Sequence, residues 1–400
     1  MIQVPMVLAL FVLTFMESIA ATLLQRGLYF YTHENLGFSQ NHNLWIAFGF
    51  GATYVVGAYV SHGLSKRFGE RRLLMGSLLG LLAIHSLLAL FPAAPVLVAG
   101  VLASAAIQGA KWPVVESYVS AGRAPKELLS LLGRYNVTWA TAGFVAIGIT
   151  GVIVGTHIPA LFFWLPALLN VIAITLALRL PKKPLHLDHS HPERPVEHEL
   201  ASMRALLGSA RWSMTGSYAL LYVLAPLMPS LLAALALPVT LATPVAAILD
   251  AVRVFSFGLF GAYSGWHGRR QPMWLTLVAL PAGFLLVLLG NSLPLVILGE
   301  VVFGTAAGFA YTAALYYALV SENASVDAGG AHEALIGIGI GLGPLSGLAG
   351  QLLVGMPMPF GQASAGLGPF MALALTTLPI VAVCILGALR SLFRLPGRPA

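Results

Sequence analysis

Charged residues are scarce in this chain: Asp, Glu, Lys and Arg make up 9% of its 400 residues, against about 25% in soluble domains. Hydrophobic residues make up 58% of the chain, and the shortage of charge extends along nearly its whole length. This composition excludes a soluble domain with a single anchor and predicts a polytopic membrane protein. Cysteine is nearly absent too, since Cys384 is the only one, which excludes an intrachain disulfide and disfavours a metal–thiolate site.

The motifs of enzymes and ATP-driven pumps are also missing. The sequence has no G-x-x-x-x-G-K-[ST] loop and no soluble domain that could hydrolyse ATP. It shows no nucleophile–base constellation at a membrane edge. We therefore expect neither an enzyme nor a bound cofactor. The net charge of +7 could suggest a nucleic-acid partner, but the placement of the basic residues argues against one.

Twelve apolar runs are long enough to cross a bilayer as helices. The first could be mistaken for a signal peptide, but it lacks a basic n-region and contains Glu17, so we interpret it as a spanning helix. Apart from three basic residues inside spans, all Lys and Arg residues fall on one side, which places both termini in the cytoplasm. The predicted spans are 5–31, 44–62, 73–91, 96–119, 129–155, 159–179, 210–234, 241–264, 273–290, 294–320, 334–354 and 368–390.

The longest polar stretch, residues 181–204, follows the sixth run and lies at mid-chain. It predicts a six-helix half at 1–180, a cytoplasmic linker at 181–205 and a second six-helix half at 206–400. A weak internal repeat supports this division. At an offset of 199 residues, the chain aligns Gly109 with Gly308, Tyr118 with Tyr317, and Gly151 with Gly350.

Four histidines of the predicted linker lie among acidic residues and could bind zinc or copper weakly. A flexible linker rich in charge and proline accounts for them as well, so we predict no metal site. These histidines are His186, His189, His191 and His198.

Seven ionisable residues lie inside the apolar runs. One charge near the bilayer centre costs about 2.5–3.5 kcal/mol on insertion scales, so seven unpaired charges would exceed the net stability of a typical fold, about 5–15 kcal/mol. They must therefore face one another, or water, inside a helical bundle, as a transport pathway requires. The seven are Glu17, Arg26, Lys111, Glu116, Asp250, Arg253 and Glu300.

The segment VSHGLSKRFGERRLL, residues 60–74, resembles the signature loop G-x-L-x-D-R-x-G-R-R of the major facilitator superfamily. The resemblance implies an all-α membrane protein with 12 transmembrane helices in two pseudo-symmetric six-helix halves. It also implies a substrate site at mid-membrane between the halves, alternating access, and a charge latch on the cytoplasmic side. Leu64 matches the pattern, and His62 departs from it. The residues assigned to the latch are Lys66, Arg67, Gly69, Glu70, Arg71, Arg269 and Arg270, of which Lys66 and Glu70 reverse the usual charges.

The segments LLQRGLYFY, 23–31, and IQGAKWPVVESY, 107–118, resemble parts of helices 1 and 4 of proton-coupled oligopeptide transporters. Arg and Lys in a dry cavity bind carboxylate or phosphate, and nearby acids can carry a proton. The competing interpretation is structural: a Glu–Arg or Glu–Lys pair within the first half, and a self-satisfied Asp–Arg pair in the second. The predicted substrate-binding residues are Arg26, Lys111, Arg253, Tyr29, Trp112, Asn136, Tyr222 and Tyr311. The predicted proton-coupling residues are Glu17, Glu116, Asp250 and Glu300.

These features predict a secondary transporter in a bacterial inner membrane, acting as a monomer on a small-molecule solute. We expect proton coupling and an anionic or zwitterionic solute, with protons, the solute and the lipid bilayer as its partners and no nucleic acid. The alternative is a proton-driven antiporter that exports hydrophobic drugs. Sodium coupling and a transport-inactive sensor also remain open.

Overall fold

The computed structural model describes residues 4–120, 122, 125–156, 158, 160–184, 197–321, 326–356 and 368–394. Within these residues the chain is helical and contains no β-strand. Its helices, in chain order, are α1 (Val4–Thr22), a π-helical segment (Leu23–Gly27), α2 (Leu28–Leu36), α3 (Gln40–Phe68), α4 (Glu70–Leu90), α5 (Ala94–Ser120), α6 (Pro125–Gly155), α7 (Leu161–Ala177), α8 (Glu197–Leu224), α9 (Met228–Ala234), α10 (Val239–Ala246), α11 (Ile248–Ala262), α12 (Gln271–Leu288), α13 (Leu293–Ser321), α14 (Val326–Gln351) and α15 (Pro369–Phe393).

Ten spans in the described part of the chain are long and apolar enough to cross a membrane. The predicted span 210–234 is a pair of helices, Leu200–Leu224 and Met228–Ala234, that bend by 56° and count as an eleventh if they form one span. The predicted span 159–179 is the shorter apolar helix Leu161–Ala177. These elements are consistent with the twelve predicted spans, and the chain is a multi-pass membrane protein.

The helices are interrupted close to the buried charges. In the π-helical segment each backbone hydrogen bond spans one residue more than in an α-helix, and such bulges are frequent at functional sites. It contains Arg26, whose side chain it holds inside the bundle. A second break, at Ala247, separates α10 from α11 shortly before Asp250. Both irregularities therefore lie next to charged side chains that the sequence analysis singled out.

Glycines allow the closest helix contacts in the described bundle. Helix α3 packs extensively on α14, and α6 packs on α10 and α11. A Cβ atom added to Gly261 of α11 would lie 2.4 Å from the Cα atom of Gly133 on α6. Similarly, a Cβ atom on Gly51 of α3 would lie 2.3 Å from the backbone nitrogen of Gly341 on α14. Small residues at these crossings bring the backbones together, as in other membrane helix pairs.

Candidate functional site

A cavity lies between α1 with its π-helical segment, α3, α5, α6, α8, α11, α13 and α14. Most of the large polar, charged and aromatic residues that line it are far apart in sequence. They are Gln25, Arg26, Tyr54, Trp112, Tyr135, Trp139, Tyr218, Tyr222, Asp250, Arg253, Tyr311 and Glu333, together with smaller residues such as Ser18, Thr22 and Gly143.

Two arginines share one carboxylate in this cavity. Arg26 Nη1 lies 2.5 Å from Asp250 Oδ2, and Arg253 Nη1 lies 3.5 Å from Asp250 Oδ1. The first contact joins residues 224 positions apart, whereas the second lies within one turn of α11. The Nε atoms of both arginines have no hydrogen-bond partner in the described chain. The group carries two positive charges and one negative charge, so it retains the capacity to bind a further anion.

Aromatic rings hold the Arg253 guanidinium in place. Its Cζ atom lies 4.6 Å from the centre of the Trp139 ring and 5.5 Å from the centre of the Phe257 ring. Trp139 in turn donates a hydrogen bond from Nε1 to Asn136 Oδ1 over 3.1 Å and contacts the ring of Tyr311. Cation–π contacts of this kind stabilise a partly desolvated guanidinium.

A chain of hydrogen bonds runs beside Arg26. The Tyr222 hydroxyl donates to Gln25 Oε1 over 2.9 Å, and Gln25 Nε2 donates to Gln108 Oε1 over 2.8 Å. These bonds connect α8, the π-helical segment and α5. They fix the orientation of the Gln25 amide next to the charged group.

A fourth charged residue, Glu333 of α14, lines the same cavity. Its Oε2 atom accepts a hydrogen bond from the Tyr54 hydroxyl. Glu116 of α5 interacts with it electrostatically, although neither Glu116 oxygen has a hydrogen-bond partner in the described chain. Glu333 was not among the predicted site residues because the predicted span began at residue 334. In the structure, α14 extends back through the polar segment to Val326.

Glu17 and Lys111 form a separate buried pair outside the lining of the cavity. Lys111 Nζ lies 2.7 Å from Glu17 Oε2, and Asn170 Nδ2 donates to Glu17 Oε1 over 2.6 Å. His85 Nδ1 lies 2.6 Å from Asn170 Oδ1, and the Lys111 ammonium lies 4.2 Å from the centre of the Trp112 ring. The pair therefore connects α1, α5 and α7, as the competing structural interpretation expected.

The structure places the predicted substrate-binding residues in two groups. Five line the cavity, namely Arg26, Arg253, Trp112, Tyr222 and Tyr311, and three do not, namely Lys111, Tyr29 and Asn136. Tyr29 is buried, and its carbonyl oxygen accepts a hydrogen bond from Asn43.

Of the predicted proton-coupling acids, Asp250 lines the cavity, whereas Glu300 is not among the lining residues. Glu300 of α13 is 1% exposed, and its Oε2 atom has no hydrogen-bond partner in the described chain. It interacts electrostatically with Arg26 and with Asp250. Glu300 and Glu116 are thus the two predicted acids that the described chain leaves without a direct cationic partner.

The predicted latch residues lie at helix ends. Gly69, with a φ angle of 83°, separates α3 from α4, and Arg71 Nη1 donates to the Leu180 carbonyl oxygen over 3.1 Å. Glu70 begins α4. The Arg67 guanidinium lies 5.2 Å from the centre of the Phe68 ring. The others are Lys66, which is exposed, and Arg269 and Arg270, which line a groove beside α12. Their action as a latch stays a prediction.

Within the described residues, no group of three or more His, Cys, Asp or Glu side chains could hold a metal ion. The linker histidines His186, His189 and His191 lie outside the described residues, as does the side chain of His198.

Comparison with known proteins shows the same architecture. The family model described as "Major Facilitator Superfamily" matches residues 6–348. No curated protein sequence matches the chain. Similar solved structures include a mutant of the nucleoside transporter NupG, with 13% identity, a TM-score of 0.68 and coverage of 98% of this chain and 100% of that one. They also include the human organic anion transporter MFSD10 (TETRAN), with 14% identity, a TM-score of 0.66 and coverage of 96% and 99%.

A third similar structure is the bacterial homolog of the human lysosomal transporter Spinster, in an inward-facing and unoccupied conformation. It has 15% identity, a TM-score of 0.69 and coverage of 98% of both chains. At these identities the likeness shows the fold alone.

Proposed function

The chain belongs to the Major Facilitator Superfamily, and we propose that this secondary transporter couples proton movement to an anionic or zwitterionic organic solute. The similar structures include proteins described as nucleoside, organic anion and fucose transporters. Because they share the fold with one another, the fold does not select the solute. The chemistry of the cavity has to do so.

The observation that carries the proposal is the sharing of Asp250 by Arg26 and Arg253. Both guanidinium groups are buried, and burying a charge is costly unless it is paired and hydrogen-bonded. One carboxylate cannot satisfy two guanidinium groups fully, and each leaves its Nε atom unpartnered in the described chain. A carboxylate or phosphate from the solute supplies the missing acceptors, with the two-pronged geometry that arginine favours.

Proton coupling follows from competition for the same arginines. An arriving solute anion takes hydrogen bonds that Arg26 and Arg253 otherwise give to Asp250. The released Asp250 carboxylate is then a buried charge with weaker pairing, and it binds a proton from the water that enters with the solute. Glu300 lies within electrostatic reach of Arg26 and Asp250, so it is our candidate for the next proton acceptor.

The remaining predicted site residues take supporting roles in this proposal. Glu17 and Lys111 neutralise each other and hold α1 against α5 and α7. Asn136 positions Trp139, whose ring covers Arg253. Tyr29 contributes to the packing of α2.

We also propose the arrangement around this site. Two six-helix halves, residues 1–180 and 206–400, rock about the central cavity and are joined by the linker 181–205. The termini and the latch lie on the cytoplasmic side of a bacterial inner membrane, and the monomer is the transporting unit. Alternating access then exposes the cavity to each side in turn.

Proton-driven export of cationic drugs is the second candidate function. It is favoured by the aromatic lining of the cavity and by Glu333, a carboxyl group that faces the same space. Under this function Glu333 would bind the cation, and the arginines would have no role in solute binding.

Solute-evoked proton movement in proteoliposomes tests the proposal. A pH dye inside the vesicles reports proton flux on addition of monocarboxylates, phosphorylated metabolites, amino acids or cationic drugs. We expect an anion or zwitterion to evoke flux, and Arg26→Gln or Arg253→Gln to abolish it. Arg72→Gln, on the exposed start of α4, is the matched control. Flux that is indifferent to both cavity variants, or that only cationic drugs evoke, would contradict the proposal.

A further inference from the structure

The cavity has two oppositely charged ends. Its described lining contains Arg26, Arg253, Asp250 and Glu333 as the only formally charged side chains. Their charges sum to zero, but the positive and negative charges are grouped unevenly. Asp250 contacts both arginines, whereas Glu333 contacts Tyr54 instead. The group around Asp250 therefore carries a net positive charge, and the group around Glu333 carries a negative one.

Glu333 has no cation to balance it within the described residues. It is 4% exposed, and its hydrogen-bond donor is the neutral Tyr54 hydroxyl. Lys111 acts on it electrostatically, but the ammonium of Lys111 lies 2.7 Å from Glu17. A buried carboxyl group that faces a cavity and lacks a cation is a site where a ligand's cation is stabilised.

A second carboxyl group strengthens the negative end. Glu116 is 1% exposed, and neither of its oxygens has a hydrogen-bond partner in the described chain. Glu116 acts electrostatically on Glu333, so two neighbouring carboxyl groups make this end of the cavity acidic. The other titratable or charged groups that act on this pair or border it are Tyr54, Lys111, Tyr135, Tyr218, Tyr311 and His332.

Aromatic rings line the cavity together with these charged residues. Tyr54, Trp112, Tyr218 and Tyr311 all face it. The faces of such rings attract alkylammonium groups. Their hydroxyl and indole groups add hydrogen bonds without adding charge.

We propose that the solute is a zwitterion, whose anionic group binds Arg253 and Arg26 and whose ammonium group binds Glu333. This inference rests on the proposed function and makes it more specific. A pure anion would bring its charge into a space that Glu333 already makes negative. A pure cation would leave the two arginines with Asp250 alone. A zwitterion compensates both ends at once, with Glu333 as a specificity-determining residue.

Binding of matched ligands to the purified full-length protein tests this inference. The probes are ω-amino acids of increasing length, from glycine to aminohexanoate, each with its N-acetyl and its carboxamide counterpart. The readout is the ligand-induced shift in the thermal unfolding midpoint, titrated to an apparent affinity. We expect one chain length to bind best, and each capped counterpart to bind about tenfold or more weakly, since each loses a charge-assisted contact.

Variants then assign each end of the ligand. In Glu333→Gln, the N-acetyl and free-amine forms should bind equally, while the preference for a free carboxylate remains. In Arg253→Gln, the carboxamide and free-carboxylate forms should bind equally, while the preference for a free amine remains. Glu34→Gln, which removes an exposed carboxyl group near the end of α2, should preserve both preferences.

The outcomes separate this inference from the proposed function. If N-acetylated anions bind as well as free amino acids, and Glu333→Gln has no effect, the zwitterion inference is overturned while anion-coupled proton flux still supports the proposed function. If no zwitterion shifts the thermal unfolding midpoint of protein that is shown to be folded, the zwitterion inference fails as well. If only cations bind and evoke proton flux, both the inference and the proposed function fail.

Discussion

Removing one partner of the buried pair between Glu17 and Lys111 should destabilise the protein far more than removing both. Both residues are fully buried, and their charged atoms lie 2.7 Å apart. In Lys111→Met the Glu17 carboxylate keeps only the Asn170 amide as a partner. In Glu17→Gln the Lys111 ammonium loses its paired carboxylate and keeps its contact with the face of the Trp112 ring.

Opposing energies set the size of this effect. At 2.7 Å, the attraction is about 6 kcal/mol with an effective dielectric constant of about 20. Withdrawing two ions from water costs several kcal/mol each, so the net contribution of the intact pair is small. A single variant loses the attraction but keeps one buried charge, which costs about 3–5 kcal/mol. The double variant Glu17→Gln with Lys111→Met keeps no charge, so it should recover most of that loss.

Thermal unfolding of the unmodified protein, the two single variants and the double variant in one detergent measures the energetic coupling between Glu17 and Lys111. Solute-evoked flux in proteoliposomes measures function. Glu34→Gln removes an exposed carboxyl group and should leave the midpoint unchanged. Additive losses in the double variant would refute the assignment of a mutually neutralising pair. A double variant that is stable yet no longer binds solute would show that this pair is needed for solute binding as well as for stability.

Four further predictions concern other parts of the molecule. Asp250→Asn removes the carboxylate that two buried arginines share and should lower the free energy of unfolding by about 3 kcal/mol, which thermal unfolding will show; an unchanged unfolding midpoint would contradict the shared ion pair. Glu300→Gln should stop solute-evoked proton flux but permit solute counterflow, and retained flux would exclude Glu300. Gly261→Val places side-chain atoms against Gly133 and should cost about 1–3 kcal/mol of stability through overpacking, whereas a neutral effect would show that this crossing is loose. Burial lowers the pKa of His267, which lies outside the spans, from 6.5 to about 4. The stability contributed by its neutral form is complete above about pH 6.5 and is lost as the pH falls towards 4. His267→Gln should remove this part of the pH dependence of the unfolding midpoint. Identical pH profiles for the variant and the unmodified protein would contradict this prediction.

The membrane fold could be predicted from the sequence because its cause is local. A bilayer requires long apolar helices whose backbone groups are all bonded within the helix, and that requirement is visible in each run of residues separately. The loop at 60–74 then indicated the family, since a short motif keeps its residues adjacent in the chain. The boundaries shifted where polar residues extend a helix beyond the apolar run, as at the start of α14.

Composition and the apolar runs alone determined that this protein crosses the membrane many times and carries charges inside it. Only the tertiary structure decided which charges meet, because an ion pair depends on helix rotation and packing rather than on sequence separation. It joined Arg26 to Asp250 across 224 positions and turned Lys111 towards Glu17 instead of the cavity. It also brought Glu333 to the cavity, because α14 starts earlier than its hydrophobicity indicates and its packing against α3 carries that polar first part into the bundle.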